Sequence, residues 1–296
     1  PTTVATRSWF AREALAYYLE ISSDAPDNLL RFRLHDFGSR GVSSAESAAI
    51  GGAAHLVNFQ GSDTVLGVKL ANDYYSHDMA AFSVPAAEHS VILAHGKDNE
   101  VKAYKKILQE FAKPGAILSV VSDTYDIDHA IKEIWGKELK EQVKASGCVF
   151  VIRLDSGDPC TAIVEALKSC HEAFGATKNN KGFFVLDGVR LLWGDGLKNE
   201  DVIKDLLFAV TQAGYSTENI ATLGMGGGLL QRVNRDTCRF AYKPCRVRRA
   251  GVWMPVRKTV KSDPIKASKA GNLDLVKATN NKGQMTINLM PDVNLP

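Results

Sequence analysis

Short apolar runs recur along the chain, each ending in an acid or a glycine and followed by a stretch with helical spacing. The clearest run is Cys148–Leu154, whose β-branched and aromatic side chains are typical of a strand buried on both faces. Ser156-Gly157-Asp158-Pro159 ends this strand, and Thr161–Phe174 has the apolar spacing of an amphipathic helix. Similar runs predict further strands at Leu29–Leu34, His55–Phe59, Ala116–Val121, Val189–Trp193 and Ile220–Leu223.

The repeated strand-to-helix unit predicts an α/β fold. Six such units with polar residues at the strand ends indicate an irregular (β/α) TIM-like barrel, with its site on the carboxyl face of the strands. A doubly wound open sheet would give the same pattern, and only the strand order separates the two folds. Further helices are predicted at Ser8–Ile21, Ala45–Ala54, from after Asp126 to about Leu139, and from about Asn199 to Ala213.

Three parts of the chain depart from this repeat. Residues Pro1–Thr6 have the composition of a strand in mid-domain, Gly67–Gly96 are predicted to be a loop insertion, and the region after Leu273 is a predicted strand-and-turn segment. We therefore divide the chain into a barrel at 25–232, which carries the catalytic site, and part of a smaller α+β domain at 1–24 and 233–296. The N-terminal portion of that second domain is expected upstream of Pro1.

Composition and charge limit the function. With 45% hydrophobic and 23% charged residues the chain is an ordinary globular protein, and a net charge of +3 gives no argument for nucleic acid. Five cysteines without C-x-x-C spacing favour a reduced, cytoplasmic compartment and disfavour a zinc site. We predict no membrane span and no signal peptide. The segment Lys243–Lys269 carries nine bases against Asp263 alone, which is either a solvated face or a surface for a polyphosphate.

Candidate chemistry lies at the predicted strand ends. Arg153 and Asp155 are two residues apart, so on an extended backbone their side chains point the same way. They are either a structural ion pair or a site in which Asp155 holds ribose hydroxyls or hydrated Mg²⁺ while Arg153 neutralises phosphate. Gly194-Asp195-Gly196 and Gly224–Gly228 are either tight turns or phosphate-binding loops. His89 is ambiguous, because a loop histidine is more often a surface group than a catalytic one, and His35 is predicted to be buried structure.

Seven motifs, taken in order, resemble those of the nicotinamide phosphoribosyltransferase branch of the type II phosphoribosyltransferases. The R-x-D-S-G-D motif at Arg153 is shared with nicotinate phosphoribosyltransferases, whereas H-D-F-G and N-F-x-G-x-D-T favour the nicotinamide branch. The motifs are H-D-F-G-S-R-G-V-S-S-A-E, N-F-Q-G-S-D-T-V, S-V-P-A-A-E-H-S, V-V-S-D-T-Y-D, R-L-D-S-G-D-P, W-G-D-G and G-M-G-G-G-L-L-Q-R-V-N-R-D.

The resemblance implies transfer of phosphoribose from phosphoribosyl pyrophosphate to nicotinamide, with Mg²⁺, in a homodimer with interface sites. Phe37 would stack on the pyridine ring, and Asp63 would accept a hydrogen bond from the carboxamide, which selects against nicotinate. His89 would be the phosphorylated histidine that couples ATP hydrolysis to synthesis. The expected catalytic residues are His89, Asp123, Arg153 and Asp155; those that bind phosphate, pyrophosphate or ribose are Arg40, Arg153, Gly194, Asp195, Gly226, Gly227 and Arg235.

The chain also departs from the family pattern. Ser39 stands where the family often has Tyr, and Met225 where Ser is usual. The resemblance implies a further N-terminal region, from which the neighbouring subunit supplies an aromatic side chain; we expect that a separate N-terminal chain supplies it or that the pocket is incomplete. Two alternatives therefore stay open: a nicotinate phosphoribosyltransferase, and a catalytically incomplete fragment that binds nucleotide and needs a partner chain.

Overall fold

Six parallel strands form one curled sheet at the centre of the protein, in the order β2-β1-β8-β7-β4-β3. A computed structural model describes residues 1–26, 30–231, 243–261, 263–279 and 285–291. In chain order the strands are β1 (Leu34–Asp36), β2 (Gly61–Ser62), β3 (Ile117–Val121), β4 (Val149–Leu154), β5 (Ala176–Lys178), β6 (Phe184–Leu186), β7 (Val189–Trp193), β8 (Ile220–Met225), β9 (Arg246–Arg249), β10 (Val252–Pro255), β11 (Leu273–Thr279) and β12 (Met285–Pro291).

Helices follow the strands of this sheet, as the alternation of apolar runs and helical stretches predicts. A π-helix, Ala130–Glu138, continues α6 and leads to α7. The α-helices are α1 (Thr2–Ser22), α2 (Ala45–His55), α3 (Val65–Tyr75), α4 (His89–His95), α5 (Glu100–Phe111), α6 (Ile127–His129), α7 (Lys140–Ser146), α8 (Pro159–Phe174), α9 (Glu200–Gln212) and α10 (Gly227–Leu230).

The two edges of the sheet, β2 and β3, are linked by residues 82–87. Phe82 donates its amide to Gln60 O at 2.7 Å and accepts from the amide of Ser62 at 3.2 Å, beside β2. On the other side the amide of Ala87 donates to Ser119 O at 2.9 Å, within β3. The parallel strand order and this link confirm the irregular (β/α) barrel and exclude an open doubly wound sheet.

The β4–α8 unit shows why the sequence folds in this way. Phe150 and Ile152 are fully buried in the middle of the sheet, where β4 pairs with β3 and β7. Asp158 caps α8 by accepting the Thr161 amide at 3.0 Å, and Pro159 fits the first turn because its missing N–H needs no partner there. The helix buries Ile163 against the sheet and ends before Gly175, whose φ is +94°.

Several predicted elements were wrong, and in each case tertiary packing decided the outcome. Pro1–Thr6 is not a strand, because Thr2 already begins α1. His55–Phe59 is not a strand either: α2 runs through His55, whose ring stacks on Phe59 with centroids 5.2 Å apart. The strand at Leu29–Leu34 is displaced to Leu34–Asp36, behind a 3-10 turn, Leu30–Phe32. Gly67–Gly96 is no simple loop insertion, since it contains most of α3 and all of α4.

Outside the barrel sheet, the C-terminal part forms two antiparallel hairpins, β9–β10 and β11–β12. The strand-and-turn segment predicted after Leu273 is therefore confirmed, with strands at Leu273–Thr279 and Met285–Pro291. The division into a barrel at 25–232 and a second domain stays a prediction. Within the described residues, no helix is both long and apolar enough to cross a membrane.

Candidate active site

The carboxyl ends of the parallel strands bring the predicted site residues to one face of the barrel. Parallel strands expose their carboxyl ends on the same side, so residues far apart in the chain become neighbours there. Each strand end is followed at once by at least one of them. These are Phe37 and Arg40 after β1, Asp63 after β2, Asp123 after β3, Asp155 after β4, Gly194 and Asp195 after β7, and Gly226 and Gly227 after β8.

His89, Asp123 and Asp155 form a compact group, which we call the acid–histidine trio. His89 Nε2 lies 2.9 Å from Asp123 Oδ1 and 3.5 Å from Asp155 Oδ1. The backbone amide of Asp155 donates to Asp123 Oδ2 at 2.8 Å, so β3 and β4 fix the two carboxylates against each other. His89 is buried at the start of α4, which removes it from the class of surface histidines.

Asp123 is held as a carboxylate inside the protein. Burial alone would raise its pKa, but the hydrogen bond from His89 and the charges of His89 and Lys258 outweigh burial and place the pKa well below its usual value. The residue before it, Ser122 directly after β3, is also fixed, because the Trp135 indole of the π-helix donates to Ser122 Oγ at 3.0 Å. Asp123 therefore offers a fixed negative charge at neutral pH.

Lysines of the C-terminal segment cover this group, and the sequence analysis did not single them out. Lys258 is buried, with Nζ 3.2 Å from His89 Nε2 and 3.6 Å from Asp155 Oδ1. Lys266 Nζ donates to the Asp155 carbonyl at 2.7 Å and to Asp195 Oδ2 at 3.1 Å. Their only signal in the sequence was that they belong to the basic run Lys243–Lys269, and whether that run binds a polyphosphate stays a prediction.

A second group of side chains lies between β1, β2 and β4. The Arg153 guanidinium lies 5.4 Å from the centre of the Phe37 ring. The centre of the His35 ring lies 5.1 Å from the centre of the same Phe37 ring. Arg153 Nη2 is 3.7 Å from Asp155 Oδ2, which connects this group to the acid–histidine trio. Arg153 Nε has no hydrogen-bond partner among the described residues, so the side chain retains a donor for an anion.

Asp63 belongs to the same group and is oriented by two donors. Its Oδ1 accepts from His35 Nε2 at 3.0 Å and from Ser83 Oγ at 2.6 Å, while 52% of the side chain stays exposed. Burial would raise the pKa of Asp63, but these hydrogen bonds and the charge of His35 leave it below the usual value. Asp63 is therefore a charged acceptor with one oxygen directed outward, and His35, buried as predicted, holds it in place.

Two of the glycines at the strand ends leave room for neighbouring side chains. A Cβ on Gly224 would lie 2.0 Å from Cε2 of Phe37, so only glycine at this point of β8 leaves room for the ring. A Cβ on Gly194 would meet Arg153 Nε at 3.0 Å, so this glycine lets the guanidinium approach β7. Gly226 and Gly227 open α10, which has only four residues, and their predicted role in phosphate binding stays a prediction.

Four further positions named in the sequence analysis are Arg40, Arg235, Ser39 and Met225. Arg40 is exposed on the turn Ser39–Gly41, and among the described residues no hydrogen bond or ion pair joins it to the trio. Arg235 lies outside the described residues. Ser39 is exposed beside Arg40, whereas Met225 is buried at the end of β8 and packs in the core.

The donor set of the trio fits a divalent cation. Its ligand atoms all lie within 4.8 Å of one another, and ligands about 2.1 Å from an ion can be at most about 4.2 Å apart, so a small contraction would complete the site. Two carboxylates suit Mg²⁺ or Mn²⁺, and the imidazole adds affinity for Mn²⁺. Asp155, for which the sequence left a role in holding hydrated Mg²⁺ open, lies with Asp123 and His89 in this donor set.

Fold and site together define an α/β barrel protein with a ligand site at the carboxyl ends of its strands, combining anchored acids, buried cations and an aromatic ring. The chain matches the nicotinate phosphoribosyltransferase (NAPRTase) family over residues 32–287. It belongs to that family. The resemblance inferred from the motifs is therefore confirmed at the level of the family.

Curated relatives refine this assignment. Nicotinamide phosphoribosyltransferase of Xanthomonas campestris pv. campestris (strain 8004) is 50% identical over 277 residues, covering 94% of this chain and 59% of that protein. The enzyme of the same name from Mycoplasma pneumoniae is 34% identical over 86% of this chain and 56% of its own length. The one from Acinetobacter baylyi is 30% identical over 82% of this chain and 51% of its own length. The chain thus spans less than two thirds of the relatives it matches.

Among solved structures, a lysine decarboxylase from Selenomonas ruminantium covers 74% of this chain and 60% of its own at 13% identity, with a TM-score of 0.29. A likeness of this strength carries no argument about fold or function.

Proposed function

We propose that this protein transfers the 5-phosphoribosyl group from phosphoribosyl pyrophosphate to nicotinamide, giving nicotinamide mononucleotide and pyrophosphate, a step of NAD salvage. The observation that carries the proposal is Asp63: a half-exposed carboxylate fixed by His35 and Ser83, whose partner His35 also contacts the Phe37 ring. A carboxamide can donate a hydrogen bond to it, whereas the carboxylate of nicotinate would meet like charge and no donor. The names of the curated relatives support the same substrate.

The proposed chemistry needs positioning and charge more than a nucleophile. Loss of pyrophosphate from the ribosyl C1 leaves positive charge on the sugar and increases negative charge on the leaving group. Arg153, Lys258 and Lys266 supply cations where that negative charge grows. Phe37 stacks on the pyridine and Asp63 holds its carboxamide, so the ring nitrogen faces the ribosyl carbon. The entropy cost of aligning the two reactants is met when they bind and no longer adds to the reaction barrier.

Mg²⁺ is part of this proposal. Asp155 and Asp123 would hold it, with His89 as the third neighbour, and the pyrophosphate would share its coordination. Bound there, the ion would neutralise charge on the leaving group. The anchored carboxylates keep their orientation without it, because the Asp155 amide and His89 hold Asp123.

ATP is proposed as an energy-coupling co-substrate that phosphorylates His89. The His89 imidazole is buried and is anchored by Asp123. Lys258 lies beside it and would supply the cation that a phosphorylated nitrogen needs. Running the transferase assay with and without ATP tests this, and equal yields of product in both arms would contradict it.

Assembly and compartment are further parts of the proposal. We expect a homodimer with active sites at the subunit interface, in a reduced, cytoplasmic setting that suits the free thiols of Cys148, Cys160, Cys170 and Cys245. A separate chain that completes the pocket is the alternative arrangement. Sedimentation of the purified chain, alone and with substrate, distinguishes a dimer from a monomer.

The proposal is tested by giving the purified chain labelled nicotinamide and nicotinate in competition, with phosphoribosyl pyrophosphate and Mg²⁺. We expect nicotinamide to be used in preference. The variant Asp63→Asn should lose roughly 10- to 100-fold of that preference, because a hydrogen bond to a charged group contributes about 1.5–3 kcal/mol and the new amide can donate to nicotinate. Asp73→Asn is the matched control, since Asp73 pairs with Lys69 on an exposed helix face.

Each alternative has its own outcome in this assay. Preference for nicotinate would reverse the assignment within the family. Binding of phosphoribosyl pyrophosphate without turnover would favour the alternative of an incomplete chain that needs a partner, which the coverage of only 59% of the Xanthomonas relative also motivates.

A further inference from the structure

A buried ammonium group stands among the atoms that suit a metal ion. Lys258 is only 5% exposed, and its Nζ lies 3.2 Å from His89 Nε2, 3.4 Å from Ser156 Oγ and 3.6 Å from Asp155 Oδ1. Two of these neighbours belong to the acid–histidine trio, whose atoms lie within 4.8 Å of one another. The lysine therefore contacts the same ligand atoms that a divalent cation would use.

The backbone of this lysine is anchored by contacts of its own, separate from those of the ammonium group. The amide of Lys258 donates to Ser268 Oγ at 2.8 Å, and the amide of Ser268 donates to the Lys258 carbonyl at 2.9 Å. Val256 and Val260 on either side are buried, so the segment delivers Lys258 to one place. Four methylene groups join the fixed backbone to the ammonium, so the charge can swing aside without moving the segment.

Charge counting shows that lysine and metal exclude each other. Asp123 and Asp155 carry two negative charges. Lys258 offsets one of them at Asp155 Oδ1, and Arg153 already lies beside the other oxygen of Asp155, Oδ2. A divalent ion added with the lysine in place would give a net positive cluster in a buried setting and would put two cations about 4 Å apart, which is strongly repulsive. Without the lysine the two carboxylates match the divalent charge.

We propose that the Lys258 ammonium occupies the cation position of the acid–histidine trio, and that a divalent ion binds there only when this ammonium moves away. An anionic ligand such as pyrophosphate gives the ammonium a new partner, so the protein retains the metal when the phosphorylated substrate is present and releases it otherwise. This inference extends the proposed function, but its test uses metal alone and can fail while the transferase assignment stands.

The test is a titration of the whole chain with Mn²⁺ in the absence of substrates. Binding is measured by calorimetry and by the electron paramagnetic resonance signal of free Mn²⁺. Lys258→Met should bind Mn²⁺ more tightly than the unaltered protein by roughly thirtyfold, the factor expected when one charge about 4 Å from a divalent ion is removed even at the dielectric constant of water. Lys258→Arg keeps the charge and should remain near the unaltered protein.

Lys261→Met is the matched control, because Lys261 pairs with Asp126 outside the trio and should leave the affinity unchanged. Equal or weaker Mn²⁺ binding by Lys258→Met would overturn the proposal, and so would equal tightening in Lys258→Arg. If Lys258→Met does not fold, Lys258→Gln takes its place, because glutamine removes the charge and keeps a polar end: it should also tighten Mn²⁺ binding, and unchanged or weaker binding would overturn the proposal.

Discussion

Asp123 and Glu100 are both buried carboxyls, yet their pKa values move in opposite directions. Burial raises both, but Asp123 gains a hydrogen bond from His89 and the charge of Lys258, and its pKa falls. For Glu100, the first residue of α5, burial outweighs the hydrogen bond from the Tyr104 hydroxyl at 2.8 Å and the charge of Lys97, and its pKa rises to about 7. The fold thus keeps Asp123 charged for the site and leaves Glu100 to titrate near neutral pH.

Glu100→Gln should stabilise the protein above neutral pH. Because the folded pKa of Glu100 is raised, the native state binds more protons than the unfolded state between pH about 4.5 and about 7, and stability falls as pH rises through that window. Glutamine keeps the acceptor for Tyr104 and removes the buried charge. We expect a gain of about 1–3 kcal/mol in the free energy of unfolding at pH 8, and none at pH 4.

Urea unfolding at both pH values measures this difference. Glu110→Gln on the exposed face of the same helix is the control and should change stability equally little at both. A gain of the same size at pH 4 and pH 8 would show that Glu100 does not titrate as its burial implies.

At the scale of elements, β8 and β1 pair at Gly224, and the Phe37 ring occupies the space that a side chain at position 224 would fill. Gly224 pairs with His35 across the two strands, and the Phe37 ring fills the space above it. The ring that is proposed to stack on the base is thus positioned by the neighbouring strand as well as by its own.

Gly224→Ala should therefore displace Phe37. The added methyl would overlap the ring, which costs about 1–3 kcal/mol of stability as overpacking does, and nicotinamide binding should weaken. Adding Phe37→Leu should restore part of the stability and none of the binding, since the smaller side chain relieves the overlap but offers no ring. Thermal unfolding and a nicotinamide titration of the two single variants and the double variant measure this; undisturbed nicotinamide affinity in Gly224→Ala would contradict the role given to Phe37.

The elements that the sequence predicted best are those with agreeing local signals. Val189–Trp193 was predicted with its observed bounds, and α8 combines an apolar stripe with an Asp cap and a proline. His55–Phe59 had only a short apolar run, which suits a strand or a helix end equally, and contact with Ser8 of α1 favoured the helix.

The site was predictable as far as strand ends and motifs locate it. Asp123, Arg153 and Asp155 could be named because they follow apolar runs or stand within them. Lys258 could not, because a lysine in a basic run gives no sign that it will be buried 169 positions away in sequence from its partner His89. Its burial depends on how the C-terminal segment packs, which local pattern does not encode.

Considered as a whole molecule, the barrel presents acids at its mouth and the C-terminal segment presents bases to them. Lys258, Lys261 and Lys266 each reach an aspartate beside a different strand end: Asp155, Asp126 and Asp195. The two outer pairs are partly exposed, so salt screens them more than the buried Lys258 pair.

High salt should therefore loosen the segment from the barrel. Between 0.1 M and 1 M salt the screening length falls from about 10 Å to about 3 Å. We expect tryptic cleavage after Lys261 and Lys266 to increase roughly two- to tenfold relative to cleavage after Lys168 in α8, since exposed pairs contribute about 0.2–1 kcal/mol each. Mass spectrometry of the fragments gives this ratio, which also corrects for the effect of salt on trypsin.

Asp126→Asn should raise the same ratio at low salt, and Asp73→Asn, whose partner Lys69 lies on α3, should not. A ratio that stays constant with salt would mean that apolar packing of Val256 and Val260, and not charge, holds the segment.

Residues 82–87 join the two edges of the sheet. The same short stretch contacts the group around Asp63 and leads directly to the acid–histidine trio. Ser83 within it holds Asp63, and His89 follows it by two positions. Local unfolding of this stretch would remove one of the two donors to Asp63 and draw His89 away from Asp123 in one event. Under the proposed function, the contacts to the base and those to the phosphates would therefore weaken or recover together.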